Sequence, residues 1–374
     1  MTFNQENCIN YFKESSDSYK DQQHRSHKEA KLDELTREAN KKVMGLAAGW
    51  YIAMPSKELG KKPKAIELFG FPLVAWRDKQ DHPVIMQRYC SHLGASLAIG
   101  ELKDGCIQCP FHHWRYDTSG QCISVPDVNH IPPRARQATY TTTERYGYVW
   151  AWYGTTSPLF SLPEFPPAED DKDNYMSWRL KLDTSTTARQ VLENMYDYYH
   201  LVAVHGMRLA GSIKFTLLDP TQELKLPIQR DAWFGALIDA RIEGYNGLIG
   251  VIAQSLGLKA DTFTSRLDSC PSVNLVSGFV NGEERFRVLD AMTPVSATKT
   301  IWHALLMINK SGKLWLDTLN YFALGLQSKV SAVQDVKIFN TLNPERGGAY
   351  VMHDQSILKY RDFYQIWENK VNVV

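Results

Sequence analysis

Four potential metal ligands lie in two closely spaced pairs in the first half of the chain. Cys90 and His92 form a C-x-H pair, and Cys109 and His112 form a C-x-x-H pair sixteen residues further on. Two cysteines and two histidines fit either a tetrahedral zinc site or a [2Fe–2S] cluster with mixed ligands. Because either group would hold two short loops together, this stretch is expected to fold around metal.

Three features favour the cluster over zinc. The C-x-H spacing puts both ligands on one tight loop, whereas structural zinc pairs usually keep about two to four residues between them. Gly94 follows the first loop and Pro110 lies inside the second, as expected for rigid loops that grip a cluster from two sides. The aromatic residues Phe111, Trp114 and Tyr116 follow, and they can shield a cluster and tune its potential.

The full pattern, ending in CPFHHWRYD, resembles the Rieske motif of ring-hydroxylating and related oxygenases. The resemblance implies that Cys90 and Cys109 bind one iron and that His92 and His112 bind the other. Mixed ligation of this kind raises the reduction potential above that of an all-cysteine cluster.

A second group of candidate ligands lies in the segment ENMYDYYHLVAVH. His200 and His205 are five residues apart, so their imidazoles meet only if a helix loosens or ends between them. Two histidines and one carboxylate on one face of Fe(II) leave positions open for O₂ and water. A histidine pair alone is more typical of a core or surface pair. However, the string Asn194, Asp197, His200, His205 resembles the mononuclear iron motif of the same family, and it follows the cluster motif in the family's order. The resemblance implies a supporting role beside the iron for Asn194.

The third iron ligand must be a carboxylate from further along the chain. The resembled family typically supplies an aspartate from a helix near the C-terminus, and Asp335 lies in a helix-like segment, GLQSKVSAVQDVKIFN. Asp354 in VMHDQSILKY is the alternative. Glu193 is too close to His200 in sequence to complete the ligand set.

The 374 residues suit two domains and a tail. Short alternating runs from Gly49 to Gly154 predict a small antiparallel β domain, and a segment rich in Pro and Asp follows as a linker. We therefore expect an α+β chain, with an all-β Rieske domain followed by a larger, helix-grip-like domain of antiparallel sheet and helices. The predicted boundaries are 1–45 for a polar, partly helical extension, 46–155 for the Rieske domain and 156–374 for the mononuclear-iron domain.

Composition narrows the function classes. The formal net charge is +1, which does not favour nucleic acid binding. The longest apolar run, Gly247 to Leu258, is shorter than the roughly 20 residues that a spanning helix needs. We interpret residues 206–305, which include this run and the segment VNLVSGFVNG, as the candidate wall of a substrate pocket. The N-terminus lacks an apolar signal core, and six cysteines are too few for a disulfide scaffold, so a cytoplasmic location is predicted.

The resemblance implies an enzyme that activates O₂ as co-substrate and hydroxylates a small polycyclic or secondary-metabolite substrate, as a monooxygenase rather than a dioxygenase. The chain carries no nicotinamide or flavin fingerprint, so electrons are expected from a separate NAD(P)H-dependent reductase, either directly or through a ferredoxin. The resemblance also implies a homotrimer. In it, Asp197 serves as the inter-subunit electron bridge between its own His200 and His112 of the neighbouring subunit.

Three other functions stay open from the sequence. The same iron chemistry can end in demethylation or desaturation. A Rieske electron carrier without its own catalysis would leave the downstream motif unused, and it would contain two irons per chain instead of three. A zinc-stabilised binding module would be colourless.

Overall fold

The computed structural model describes residues 44–245, 261–343 and 347–372. The predicted N-terminal extension, apart from Met44 and Gly45, lies outside the described residues. The apolar run from Gly247 to Leu258 lies outside them as well.

The first half of the described chain consists of short antiparallel strands. They form one three-stranded sheet, β1-β11-β10, and two four-stranded sheets, β2-β3-β4-β9 and β5-β6-β7-β8. The bounds are β1 (Gly49–Pro55), β2 (Lys64–Leu68), β3 (Phe71–Arg77), β4 (Pro83–Gln87), β5 (Glu101–Lys103), β6 (Cys106–Gln108), β7 (Arg115–Tyr116), β8 (Cys122–Ser124), β9 (Thr139–Tyr140), β10 (Thr142–Arg145) and β11 (Tyr148–Tyr153).

The strands β5 to β8 share a small hydrophobic core with β3 and β4, separate from the main core of the molecule. Trp76, Ile107 and Tyr116 are fully buried in it, beside Cys90 and Cys109. The predicted metal-binding loops therefore lie at one end of the all-β domain, on a core of their own.

The second half contains one large antiparallel sheet with flanking helices. Eight strands pair in the order β12-β19-β18-β17-β16-β15-β13, with β14 added on β15. The strands are β12 (Tyr175–Thr184), β13 (Met207–Leu209), β14 (Lys214–Leu217), β15 (Phe234–Tyr245), β16 (Thr262–Cys270), β17 (Val273–Val280), β18 (Glu283–Ser296) and β19 (Lys299–Asn309); the helices are α1 (Ala188–Glu193), α2 (His200–Ala203), α3 (Pro220–Glu223), α4 (Leu314–Phe339) and α5 (Gln355–Asn369). The predicted α+β class is confirmed.

The two faces of the large sheet have different partners. On one face, the Asn274 side chain donates to the carbonyl of Leu192 in α1, and Trp302 packs near Phe339 of α4. On the other face, the ring of His303 packs edge-on against Tyr148 of β11. Side chains alternate between the two faces along a strand, so residues an even number of positions apart lie on the same face. The sheet thus separates the helices that carry the second motif from the all-β domain.

The long helix α4 lies close to the sheet because it has a glycine at the point of contact. A Cβ atom at Gly325 would lie 2.4 Å from the ring of Trp178 in β12, so no larger residue fits there without a shift. This contact fixes the position of α4 and therefore of Asp335 further along it. In the described part of the chain, no helix is long and apolar enough to cross a membrane.

Candidate metal centres

The two loops that carry the first four candidate ligands have matching backbone hydrogen bonds. Cys90 accepts from Gly94 N at 2.9 Å and donates its own N–H to Ala95 O. In the same way, Cys109 accepts from His113 N at 3.1 Å and donates its N–H to Trp114 O. The loops therefore present their cysteines in equivalent settings on both sides of one centre.

Each loop closes through a residue in the left-handed backbone conformation. Gly94 has φ 73° in the first loop, and His113 has φ 58° at the matching position in the second. Glycine adopts this conformation without steric cost, whereas a residue with a Cβ atom does so rarely. His113 is exposed, and its backbone closes the loop.

The four candidate ligands of the first centre differ sharply in burial. Cys90 and Cys109 are 4% and 2% exposed, whereas His92 and His112 lie on the surface. The two imidazoles are 4.7 Å apart between ring centroids, and His92 stacks on Trp114 at 4.4 Å. A group bound here would have its cysteine side inside the domain and its histidine side facing outward.

Tyr116 contacts the first centre directly, beyond the shielding role expected from the sequence. Its hydroxyl lies 3.1 Å from Cys90 Sγ and 2.9 Å from Ser91 Oγ. Burial and the contact with Cys90 raise the pKa of Tyr116, so the hydroxyl keeps its proton at neutral pH. A hydrogen bond to a ligand sulfur favours the more negative state of a cluster.

The second motif is spread over a broken helical segment. Thr187 caps α1 through Gln190 N, and α1 ends at Glu193. His200 begins α2, which ends at Ala203, so His205 lies beyond its last residue. This break is the one that the five-residue spacing requires.

His200, His205 and Asp335 come together at one point. Each offers a ligand atom, and these atoms lie within 4.8 Å of one another. His205 Nε2 is 3.3 Å from Asp335 Oδ1. Asp335 is 5% exposed, and both imidazoles are half-buried.

Hydrogen bonds at Nδ1 orient both imidazoles. His200 Nδ1 contacts the main-chain carbonyl of Asp197, and His205 Nδ1 is 3.0 Å from Gln334 Oε1. Since both oxygens only accept, Nδ1 carries a proton in each ring. Nε2 keeps its lone pair in neutral His200, whereas Nε2 of His205 donates to Asp335 Oδ1 when that ring is charged. The role of Gln334 was not predicted from the sequence. It precedes Asp335 in the chain, but its contact with His205 can be expected only once Asp335 is known to lie beside His205.

Asn194 and Asp197 both contact His200. Asn194 Nδ2 is 3.3 Å from His200 Nε2. The Asp197 carboxylate accepts from the backbone N–H of His200, also at 3.3 Å. Within the chain, Asp197 therefore holds His200 through main-chain contacts.

Electrostatics distinguishes the two imidazoles. Burial lowers the pKa of His200, so its neutral form is favoured. Burial also acts to lower the pKa of His205, but the hydrogen bond and charge of Asp335 outweigh it and raise that pKa. Two imidazoles and one carboxylate with lone pairs directed at one point fit the two-histidine, one-carboxylate ligand set of non-haem Fe(II).

The rejected carboxylates have other roles. Asp354 precedes α5, where its carboxylate accepts from Val351 N at 2.8 Å, and it is not part of the ligand group found among the described residues. Glu193 forms a two-pronged ion pair with Arg361 of α5, at 2.8 and 2.7 Å, and a further pair with Arg189. These contacts fix α1 against α5.

The chain is similar in sequence to known proteins. A family model described as the Rieske [2Fe-2S] domain matches residues 49–140. Aminopyrrolnitrin oxygenase PrnD of Pseudomonas fluorescens is 41% identical over 336 residues, which cover 87% of this chain and 92% of the relative. The oxygenase component of 3-ketosteroid-9-alpha-monooxygenase from Rhodococcus rhodochrous is 31% identical over 164 residues, or 42% of this chain and 43% of the relative.

The solved structure of dicamba monooxygenase bound to dicamba is similar in fold. It superposes with a TM-score of 0.64 at 19% identity, over 86% of this chain and 97% of that one.

Proposed function

The chain belongs to the Rieske non-haem iron oxygenases, as an oxygenase component of the α type, and we propose that it acts as a monooxygenase on a small organic substrate. The observation that carries this proposal is the meeting of His200, His205 and Asp335 at one point. A Rieske electron carrier has no need of such a site.

We assign the two cofactors of the family to separate ligand sets. The [2Fe–2S] cluster is held by Cys90, Cys109, His92 and His112, and the mononuclear iron by His200, His205 and Asp335. When bound, the iron activates O₂ with electrons that the cluster supplies. The cysteines of the first centre are buried and its histidines face outward. This arrangement supports the assignment of the cluster as the group through which electrons enter and leave the chain.

The protein itself prepares the iron site by fixing proton positions. The carbonyl of Asp197 and Oε1 of Gln334 hold the Nδ1 protons, so Nε2 is the atom of each ring that would bind iron. At His205 the iron would replace the proton shared with Asp335. The amide of Asn194 lies close enough to His200 Nε2 to restrict what else approaches the iron on that side.

We further propose a homotrimer with head-to-tail contacts. Two exposed apolar patches in the single chain support it. One surrounds the cluster histidines, with Leu93 and Phe111 more than 60% exposed; the other lies around Tyr199 beside the iron site, where Val351 and Met352 are 64% and 80% exposed. A ring in which one patch covers the other would bring each cluster to a neighbour's iron.

In that arrangement Asp197 is the bridge between the centres. Asp197 is half-buried and lies close to exposed Tyr199, and among the described residues its carboxylate is bound only to the N–H of His200. It therefore retains acceptor capacity for the proton of His112 of the neighbouring subunit. Asp197→Asn is expected to leave both metal sites filled and stop turnover.

Electrons are supplied by a separate reductase, which the term "oxygenase component" implies for the ketosteroid relative. We propose that the reductase uses NAD(P)H and passes electrons to the oxygenase either directly or through a ferredoxin. We also propose that the enzyme works in the cytoplasm. The relatives are named for aminopyrrolnitrin and for 3-ketosteroids, which supports a secondary-metabolite or polycyclic substrate. Demethylation or desaturation is the alternative outcome of the same chemistry.

Iron content tests the assigned ligands. The purified protein should contain three irons per chain, and Asp335→Ala should contain about two while the visible spectrum of the cluster is retained. Asp354→Ala is the matched control, since it changes an aspartate of the same region outside the site, and it should keep three. Full iron in Asp335→Ala together with a loss in Asp354→Ala would reverse the assignment.

Mixed subunits test the trimer. The wild-type mass in solution should be about 128 kDa, three times the chain mass of 42.7 kDa. Subunits inactive through His112→Ala, mixed with subunits inactive through His200→Ala, should regain part of the activity, because some contacts then pair an intact cluster with an intact iron site. A fully active monomer, or no recovery despite proven subunit exchange, would disprove transfer between subunits.

A further inference from the structure

Asp197, the proposed bridge, lies between tyrosines in the chain: Tyr196 precedes it, and Tyr198 and Tyr199 follow. It comes directly after the 3₁₀ turn Asn194–Tyr196 and has φ −86° and ψ 76°, values that belong to neither helix nor strand. No regular element therefore continues through Asp197, and the direction of its carboxylate depends on how the tyrosines on each side are held.

The tyrosine before Asp197 is fixed against α5. Tyr196 is fully buried and stacks on Tyr360, with ring centroids 4.6 Å apart. Its main-chain carbonyl accepts a hydrogen bond from Ser356 Oγ at 2.8 Å. The chain therefore reaches Asp197 from a position that both a ring contact and a backbone contact hold.

The two tyrosines after Asp197 contact one side chain, His353. Its ring lies nearly parallel to that of Tyr199, with 5.8 Å between centroids and 20° between planes. It also meets Tyr198 edge-on at 6.2 Å, and Tyr198 stacks in turn on Phe215. Because His353 and Tyr199 are both exposed, core packing does not impose their contact.

The start of α5 determines where His353 lies. The residue belongs to the 3₁₀ turn Met352–Asp354, immediately before that helix. The carboxylate at the end of this turn closes it by accepting from Val351 N at 2.8 Å. Ser356 is only three residues beyond His353, so both sides of Asp197 are tied to the same short stretch of chain.

We propose that His353 is a positioning residue for electron transfer. Its ring holds the two tyrosines that follow Asp197, which keeps the Asp197 carboxylate directed at His112 of the neighbouring subunit. A hydrogen-bonded bridge tolerates little displacement, because hydrogen bonds weaken steeply with distance and angle, and a shift of about 1 Å can slow a reaction about a hundredfold. This inference rests on the proposed function, in which Asp197 is the bridge. Stacking needs a ring and not a charge, so phenylalanine should be able to replace His353.

Amide hydrogen exchange tests the positioning without relying on turnover. In the purified holoenzyme, His353→Ala should exchange the amides of Asp197 and His200 about tenfold faster, because two aromatic contacts are lost. These amides donate to Asn194 O and Asp197 O, in the segment that the tyrosines hold. His353→Phe should keep the wild-type rates, and so should the control Lys359→Ala, which changes an exposed residue of α5.

Electron transfer after a single photoreduction tests the consequence. Photoreduced deazaflavin is reoxidised as it gives one electron to the oxidised protein at the cluster, and the electron then passes to the ferric mononuclear iron, which becomes ferrous. The return of oxidised-cluster absorbance measures this transfer and requires neither substrate nor O₂. His353→Ala should transfer at least about tenfold more slowly than wild type, with three irons and the trimer mass retained. His353→Phe and Lys359→Ala should match wild type.

A wild-type transfer rate in His353→Ala would overturn the inference, and so would a His353→Phe variant as slow as His353→Ala. Loss of the trimer or of the third iron in His353→Ala would also overturn it, because the residue would then serve assembly or the iron site. Failure of the proposed bridge has a different signature, since Asp197→Asn would then transfer at the wild-type rate. A slow Asp197→Asn together with a fast His353→Ala would refute the role of His353 alone.

Discussion

The two metal centres of this chain are built in opposite ways. The proposed cluster ligands lie between Cys90 and His112, in two loops with the same backbone hydrogen bonds on a small core of their own. The proposed iron ligands come from a broken helix and from a long helix far along the chain, and they meet only because both pack on one sheet. The first site is local and the second is tertiary.

This difference predicts what each metal does for folding. The loops of the first centre lie at one end of a small core and each carries two of the four proposed ligands, so the cluster should stabilise the domain that holds it. The second centre is fixed by protein contacts, such as the ion pair of Glu193 with Arg361 and the close approach of α4 at Gly325. Its scaffold should persist without iron.

The largest expected effect is therefore a contrast between two ligand variants. Cys109→Ser should lose the cluster and destabilise the all-β domain by several kcal/mol, because folding and metal binding are coupled there. His205→Ala should lose the mononuclear iron and activity, with the free energy of unfolding changed by only about 1 kcal/mol. Calorimetry and metal analysis on both variants measure this. Equal destabilisation would mean that the sites do not differ in this way.

More of the first site than of the second could be predicted from the sequence, because the first is local and the second is tertiary. Spacing was enough to group the four candidate cluster ligands, since they are neighbours in sequence, and family resemblance then assigned them to two irons. The break between His200 and His205 also followed from spacing. The choice of Asp335 over Asp354, however, depended on family resemblance, because it is decided by how α4 packs. Gln334 acts through His205, which is distant in sequence, so no local pattern marks it.

The contact between the two halves of the molecule should be sensitive to acid. His303 is 3% exposed against Tyr148, and burial lowers its pKa from 6.5 to about 4. The unfolded chain binds this proton below about pH 6.5 and the folded chain does not, so stability is full above that pH and falls as the pH decreases towards 4. Between pH 7 and pH 5 the loss should be about 2 kcal/mol.

Urea unfolding of wild type and His303→Phe at both pH values measures this loss. The variant should lack the His303 share of the pH dependence, because it has no group to protonate at this position. The same pH dependence in both proteins would assign the acid sensitivity to other groups.

The smallest expected effect concerns Tyr116. Tyr116→Phe removes a hydroxyl from Cys90 Sγ and should lower the reduction potential of the cluster by about 40 mV, the equivalent of a hydrogen bond worth about 1 kcal/mol. Voltammetry of the variant measures the shift. The exposed Tyr89, changed to Phe, is the control, and iron at the second centre should be unaffected in both. An unchanged potential would mean that the contact does not act on the cluster.

The central claim is that one chain holds two separate iron centres, with His200, His205 and Asp335 forming the second. Electron paramagnetic resonance of the reduced protein exposed to nitric oxide tests it most directly. The wild type should give both the Rieske signal and a high-spin iron–nitrosyl signal, and Asp335→Ala should keep the first and lose the second. A wild type without the nitrosyl signal, or an Asp335→Ala variant that retains it in full, would contradict the account.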